Sequence, residues 1–195
     1  MKAYITRPAL LAAIEAVRVA ASTESHRYGL TGVRARFTDN SLELAATDGH
    51  RAHRATVPTT SGEAGEILYS ADSLAKLAKS LKAAKPKGRT AAELTVEITA
   101  TSAKIGDDLI ALATEPGQFP ALEAVIPPES NNEYDFFGVN PALLSEACEA
   151  AALMSDSRIK IAKIVPGPHR LAPIRVDMQG SHGEFLAVIM PMRMD

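Results

Sequence analysis

The sequence has little of several features that mark specialised classes of protein. Its single cysteine, Cys148, can form no disulfide within the chain and cannot by itself build a thiolate metal site. The five histidines are scattered, without metal-ligand spacing. No apolar run approaches the roughly 18 to 20 residues that cross a bilayer, and the start, MKAYITRPALL, lacks the regions of a signal peptide. We therefore expect a cytoplasmic protein without metal, cofactor or membrane contact.

Neither sign of charge is in marked excess. The 195 residues include 21 basic and 23 acidic side chains, a formal net charge of −2, so bulk charge indicates no nucleic-acid partner. With 46% hydrophobic and 23% charged residues, the composition is that of a folded globular chain rather than a disordered one. Any function in binding nucleic acid must therefore come from a local charge pattern.

The chain repeats one pattern three times. The tetrapeptide PALL at residues 8–11 returns at residues 141–144, and Leu11 has a counterpart in Leu74. Each Ala/Leu-rich helical stretch follows a short strand-like run, at residues 3–6, 66–70 and 134–139. Three further strand-like runs follow each helix, at residues 28–38, 42–47 and 50–57, then 93–100, 102–105 and 109–114, then 158–165, 171–178 and 184–190. We predict an α+β fold of three β-α-β-β-β units, with helices on one face of antiparallel sheets.

A linker, PPESNN at residues 127–132, separates the third unit from the first two. We predict a domain at residues 1–127, made of units 1–65 and 66–127, followed by a half domain at residues 128–195. Repeats of this size usually need a neighbour to bury their apolar face. An unpaired third unit therefore predicts self-association.

Three motifs occur in the order typical of one family. They are LAATDGHR at residues 44–51, GQFP at 117–120 with VIP at 125–127, and VIMPMR at 188–193. Together with RYGLTG at residues 27–32, they resemble the bacterial DNA polymerase III beta subunit, the sliding clamp. Residues 1–127 resemble the middle domain of that family and residues 133–195 the second half of its last domain. The first domain and the first half of the last have no counterpart here.

The resemblance implies a DNA-clamp fold and a ring that encircles duplex DNA without reading its sequence. It also implies a DNA polymerase and other proteins with clamp-binding motifs as partners, and it leaves a clamp loader open. Client peptides would bind a pocket between the middle and last domains, whose methionines suit varied side chains. Carried over by position, that pocket comprises Leu30, Thr47, Gly49, His50, Arg51, Pro120, Val125, Leu171, Val188, Ile189, Met190, Pro191, Met192 and Arg193.

Some residues in and near these motifs differ from the family pattern, and these differences affect which peptides the pocket would prefer. Ala52 stands where the family usually has leucine, Ala124 where many members have arginine, and Pro141 where an aromatic residue often lines the pocket. The chain also continues to Asp195. His50, Arg51 and Arg193 are the side chains that we expect to meet polar or acidic groups of a peptide.

Simpler interpretations stand beside the resemblance. Asp48 next to His50 could be a catalytic pair, but an Asp-Gly hairpin turn explains the aspartate, so we expect no enzyme. The ending MPM at residues 190–192, taken alone, is more typical of a buried edge strand than of a binding site. Only its combination with the other motifs favours binding. Cys148 is interpreted as a small core residue of the third helix.

A basic stripe is the candidate DNA-binding surface, because clamp helices line the channel. Such side chains can hold phosphates without reading sequence, although a lysine-rich face is also typical of ordinary solvated surface. The third helix carries Glu146 and Glu149 and no basic residue, which opposes a uniformly basic channel. The candidate residues are Arg7, Arg18, Lys76, Lys79, Lys82, Lys85, Lys87 and Arg89.

The unit count predicts the assembly. Rings of this family contain about twelve units, so three units per chain predict a homotetramer, with a dimer as the alternative. Two functions remain open. The leading hypothesis is a processivity clamp that encircles DNA, and the alternative is an adaptor or decoy that binds clamp-interacting proteins without encircling DNA.

Overall fold

The computed structural model describes residues 1–24, 29–84, 95–128 and 137–193, which form two antiparallel sheets and three α-helices. The first unit holds β1 (Lys2–Thr6), α1 (Arg7–Arg18), β2 (Gly32–Phe37), β3 (Ser41–Thr47), β4 (Arg51–Pro58) and β5 (Ser61–Glu63). The second holds β6 (Gly65–Ser70), α2 (Ala71–Ala83), β7 (Thr95–Thr99), β8 (Ser102–Ile105) and β9 (Asp108–Ala111). The third holds α3 (Pro141–Leu153), β10 (Lys163–Val165), β11 (Ile174–Gly180) and β12 (Gly183–Ile189). The predicted α+β class is confirmed.

The sheets exchange strands between units. One sheet has the order β5-β1-β7-β8-β9 and the other β10-β11-β12-β4-β3-β2-β6. The first strand of each of the first two units joins the other unit's sheet, since β1 pairs with β7 and β6 with β2. β12 pairs with β4, so the seven-stranded sheet runs across the predicted boundary at residue 128. The domain limits themselves stay a prediction.

The helices form because apolar residues recur at helical spacing and because the residues at the start of α1 and α3 favour helix initiation. Proline stands in the first turn of α1 and α3, where its missing N–H loses no hydrogen bond, and Asn140 caps α3 by accepting from the Ala142 backbone N–H at 2.9 Å. Leu10, Ile14 and Val17 lie on one side of α1 and are completely buried. α1 packs against β3 and β4 and contacts both α2 and α3, which makes it the central helix.

Several strand limits differ from the prediction. Within the described part of the run at 28–38, the strand covers Gly32–Phe37. Residues 134–136, half of the run at 134–139, lie outside the described residues, and in the other half Gly138 forms an isolated bridge with Met192. The run at 109–114 ends as a strand at Ala111, because the chain then crosses to β6, where the Ser70 N–H donates to the Ala113 carbonyl at 2.9 Å. β5 was not predicted.

The third unit shows the largest difference. Of the predicted strand at residues 158–165, only β10 forms, and the next strand begins at Ile174 rather than residue 171. Residues 163–165 pair with β11, whereas residues 158–162 have no strand beside them in the described parts of the chain. A strand needs a neighbour for its backbone groups, and these residues have none.

Candidate functional site

A mostly apolar cavity of about 270 Å³ lies where β4 and β12 pair. Alternate residues of a strand face opposite sides, so Ala52 and Val188 point away from the face that His53 and Ile189 share with the helices. The lining residues are Leu30, Thr47, Gly49, Arg51, Ala52, Pro120, Ala121, Leu122, Val125, Val188 and Met190. Eight of these were predicted from the sequence, and residues from all three units meet there.

Six predicted pocket residues do not line this cavity. Ile189 is completely buried on the helix side of β12, opposite the face from which Val188 lines the cavity, and its part in peptide binding stays a prediction. The other five, which lie outside the cavity lining, are His50, Leu171, Pro191, Met192 and Arg193. Met192 is 53% exposed and forms a bridge with Gly138.

Three lining residues were missed as pocket residues. Leu122 lies in a 3-10 helix, Leu122–Val125, which turns it and Val125 towards the sheet. The apolar spacing of Leu122, Val125 and Ile126 was the available signal. Ala52, noted only as a departure, contributes its small side chain to the cavity, and Ala121 joins the same wall.

The cavity wall at residues 117–127, here called the wall segment, is held at one end by a buried arginine on β2. The guanidinium of Arg34 lies over the Phe119 ring, 4.8 Å from Cζ to the ring centre. Its Nη2 donates to Glu43 Oε1 at 2.7 Å and to Glu123 Oε1 at 3.4 Å. Because Arg34 is only 4% exposed, its bond to Glu43 is shielded from water, whereas the side chain of Glu123 is 50% exposed. Together these contacts hold the segment over the sheet.

The third unit and a glycine hold the rest of the wall segment. Arg175 on β11 donates from Nη1 to the Pro127 carbonyl at 2.8 Å. Near the other end, Gly29 has φ of +88°, and a Cβ there would lie 2.4 Å from the Gln118 carbonyl oxygen. The wall segment therefore depends on all three units.

The turn between β3 and β4 explains Asp48. Its Oδ1 accepts the backbone N–H groups of His50 at 2.9 Å and Arg51 at 3.0 Å, and Gly49 has φ of +91°. This confirms the interpretation of Asp48 as a turn residue. His50 is exposed beside the cavity, and its carbonyl accepts the Met190 N–H at 2.9 Å.

Arg51 connects the turn after β3 with α1 and α3. Its Nε donates to Asp48 Oδ2 at 3.2 Å, its Nη2 to the Val19 carbonyl at 2.7 Å, and its Nη1 to Glu146 Oε2. The guanidinium thus joins the end of α1 to α3 and neutralises Glu146. Arg51 also lines the cavity, and the expectation that it meets acidic groups of a peptide stays a prediction.

His53 lies beneath the cavity in the helix-packed core. Its Nδ1 is 2.8 Å from the Ala16 carbonyl, and since a carbonyl only accepts, Nδ1 carries the proton. Its Nε2 has no hydrogen-bond partner among the described residues, and its ring packs edge-on against Phe185. Burial outweighs the bond to Ala16 and lowers the pKa of His53 to about 4.

The predicted DNA-binding residues divide by environment. Lys76 and Lys79 are exposed on α2. Lys82 pairs with Glu15 at 2.8 Å, and Arg18 pairs with the same carboxylate at 3.3 Å. Burial raises the pKa of Glu15, but its hydrogen bond with Lys82 and the charge of Arg18 bring the net pKa below its usual value. This carboxylate offsets basic charge at the centre of the stripe.

Arg7 has a structural role at the end of α2. Its Nη1 donates to the carbonyls of Leu81 at 3.0 Å and Ala84 at 2.9 Å, which satisfies groups that the helix leaves open. The expectation of a solvent-facing DNA contact is therefore corrected for this nitrogen. Lys85, Lys87 and Arg89 lie outside the described residues.

Other chemistry is sparse in the part of the chain that the structure describes. No cluster of three or more His, Cys, Asp or Glu side chains that could hold a metal ion occurs there. No helix there is long and apolar enough to span a membrane. Cys148 is half-buried on α3 beside the core residue Ala147.

Comparisons with known proteins identify relatives of this architecture. Residues 5–120 match the family model described as DNA polymerase III beta subunit, central domain. The beta sliding clamp of Synechocystis sp. is 31% identical over 119 residues, covering 55% of this chain and 30% of that protein. The chain thus spans under a third of this curated relative.

Solved structures share the fold. The DNA polymerase III beta subunit of Thermotoga maritima superposes with a TM-score of 0.79 at 16% identity, and a Pseudomonas aeruginosa sliding clamp bound to griselimycin with 0.77 at 15%. Each match covers 100% of this chain and 66% of the solved chain, which confirms the clamp fold. Because the family model also covers more than half of the sequence, this chain belongs to the DNA polymerase III beta subunit family.

Proposed function

We propose that this chain is a reduced sliding clamp, a processivity factor that encircles duplex DNA as a homo-oligomer and binds client peptides in the cavity at β4 and β12. The observation that carries the proposal is the cavity itself. Although the chain spans only part of its relatives, it keeps both walls, with Leu30, Thr47 and the wall segment on one side and Val188 and Met190 on the other.

The cavity suits the apolar side chains of an extended peptide. Its lining is almost wholly aliphatic, and Met190 is 41% exposed at its mouth, where a flexible thioether can adapt to different side chains. Each guanidinium nitrogen of Arg51 already donates one hydrogen bond within the chain, which holds the side chain in place as part of the cavity wall. The selectivity of the site would come from the fit of aromatic and leucine side chains, with exposed His50 and Arg193 nearby to meet polar groups.

The DNA part of the proposal relies on α2. Lys76 and Lys79 are exposed on the helix layer and can contact phosphates without reading sequence. In this proposal, the protein partners are a DNA polymerase, other client proteins and a clamp loader. The chain itself catalyses no reaction. The cytoplasm is the compartment in which these partners would be met.

A second function, that of an adaptor or decoy which binds clients without encircling DNA, is favoured by the helix charges. α3 exposes Glu149 and carries no basic residue, and Glu15 offsets Arg18 and Lys82 on the neighbouring helices. A phosphate facing α3 would be repelled. The two functions share the cavity and differ in ring closure.

Two measurements test the proposal. Calorimetric titration with a clamp-binding peptide containing leucine and an aromatic residue should show binding, and its absence would overturn the peptide site. Light scattering should give a mass near four chains, and the protein should stay on a circular duplex and leave it after linearisation. Peptide binding by a protein that a circular duplex does not retain would establish the adaptor instead.

A further inference from the structure

The first two units share a pattern of strand pairing that the third unit does not complete. The strand after each of the first two helices has a neighbour on both sides: β2 lies between β3 and β6, and β7 between β8 and β1. In both cases one neighbour is the first strand of the other unit. The equivalent strand, β10, has β11 on one side and no strand on the other within the described residues.

The chain before β10 has a strand-like sequence without strand structure. Residues 158–162 read RIKIA, with alternating polar and apolar side chains, yet they form no strand. Ile159 is 75% and Ile161 78% exposed, and nearby Ile164 on β10 and Leu153 on α3 are nearly half exposed. A group of large aliphatic side chains beside an open sheet edge is typical of an interface.

The charges of the third unit suit a second copy of itself. α3 exposes Glu149 and carries neither lysine nor arginine, whereas the following segment exposes Arg158 and Lys160. Lys160 Nζ donates to the Ala152 carbonyl of its own α3 at 2.6 Å, so Arg158 is the main charge that this segment offers to a second copy. Within the first two units, α1 contacts β7, the strand after the helix of the other unit. The same arrangement between two copies brings the acidic α3 of each towards the basic segment of the other, which is attractive in both directions.

We propose that the third unit of a second copy covers this surface through a twofold contact, in which residues 158–165 complete their strand and Ile159 and Ile161 become buried. Two half domains then form one two-unit domain. The inference deepens the proposed function and rests on it for the closed ring alone. A pair joined in this way holds six units, and closure into a ring needs a second kind of contact between pairs.

The test compares the wild type with the double variant Ile159→Glu and Ile161→Glu in light scattering, without DNA or peptide. The expected result is that the variant has half the mass of the wild type. Leu109→Glu is the matched control, because Leu109 is 71% exposed on the edge strand β9 of the other sheet. The Leu109→Glu variant should still have a mass of at least two chains. A wild type that is monomeric at micromolar concentration, or a double variant with unchanged mass, would overturn the inference.

Hydrogen exchange keeps the test decisive if the double variant folds poorly. In the wild type, the backbone amides of residues 158–162 should become more protected as protein concentration rises, and equal exchange at all concentrations would contradict pairing. Peptide titration on the same samples tests the proposed function separately, because the cavity lies away from the proposed contact. β11 and β12 stand between β10 and β4, and β12 is the one strand of the third unit that lines the cavity. Intact peptide binding without self-association would overturn this inference and the closed ring, and would leave the adaptor function. Self-association that depends on Ile159 and Ile161 without peptide binding would overturn the peptide site and leave this inference standing.

Discussion

Arg34 on β2 and Phe119 in the wall segment form a cation-π contact, with 4.8 Å between the guanidinium carbon and the ring centre. The two residues lie in different units, so a contact on the outer sheet face determines where the cavity wall sits. Pro120, the neighbour of Phe119, lines the cavity directly. The geometry of the site therefore depends on a side chain that does not itself line it.

Replacing Arg34 by methionine should weaken both stability and peptide binding. The change removes the contacts to Phe119 and Glu123 and the 2.7 Å bond to Glu43, and we expect unfolding free energy to fall by about 2 kcal/mol. Chemical denaturation and calorimetric titration measure the two effects. Arg36→Met is the control on the same strand, since Arg36 is 43% exposed in its side chain and should have a small effect. Equal losses in both variants would contradict the role of Arg34.

Met190 and Met192 should differ in their contribution to peptide binding. Met190 lines the cavity and Met192 does not, while both backbones are held by hydrogen bonds that alanine would preserve. We expect Met190→Ala to weaken a clamp-binding peptide by more than tenfold, about 1.4 kcal/mol. Met192→Ala should change affinity less. Unchanged affinity of the Met190 variant in calorimetry would mean that peptides bind elsewhere.

Charge reversal on α2 should abolish duplex association and spare the cavity. Lys76 and Lys79 are exposed, whereas Lys82 is paired with Glu15, so the double variant Lys76→Glu and Lys79→Glu avoids disturbing that pair. Duplex affinity should fall more than tenfold, and its salt dependence should lose a slope of about 2. Lys104→Glu on β8 is the exposed control. A simultaneous loss of peptide binding would indicate damage to the fold instead.

His53 should make the protein less stable in acid. In the unfolded chain a histidine takes up a proton near pH 6.5, whereas burial keeps the pKa of His53 at about 4 in the fold. Its contribution is complete above pH 6.5 and is lost as the pH falls from 6.5 to 4, by about 3 kcal/mol. Three charged side chains also act on His53. Arg51 lowers the pKa of His53, whereas Glu146 and Asp48 raise it.

Denaturation curves across this pH range test the assignment to His53. His53→Asn should flatten the dependence, because asparagine does not titrate, even if overall stability drops. His50→Asn on the adjacent turn is the control for removing a histidine at an exposed position. A His53 variant that keeps the wild-type slope would show that another group is responsible.

Local patterns predicted much of this fold. The PALL tetrapeptides mark the first turns of α1 and α3, and the Asp48-Gly49 turn lies where the sequence placed it. Of the eight predicted residues that line the cavity, seven lie in the three motifs and Leu30 lies in the RYGLTG stretch. These features depend on nearby residues or on short motifs, so the sequence carries them directly.

The remaining features depend on distant partners. Residues 158–162 have the alternation of a strand but remain outside one, because strand formation requires an adjacent edge. The partners of Arg51 on α1 and α3 and the carbonyls that hold Arg7 lie far away in the chain. No local pattern shows that these arginines are already bound, so they were interpreted as available for ligands.

The pairing of β4 with β12 also determines when the cavity can exist during protein synthesis. Arg51 pairs with Ile189 and Thr56 with Glu184, so the partners are separated by 138 and 128 positions. Such a long loop closes late, after most local structure has formed. Before β12 joins β4, the cavity lacks the wall that Val188 and Met190 provide. If clients bind in this cavity as proposed, their binding therefore has to follow the formation of this long-range strand pair.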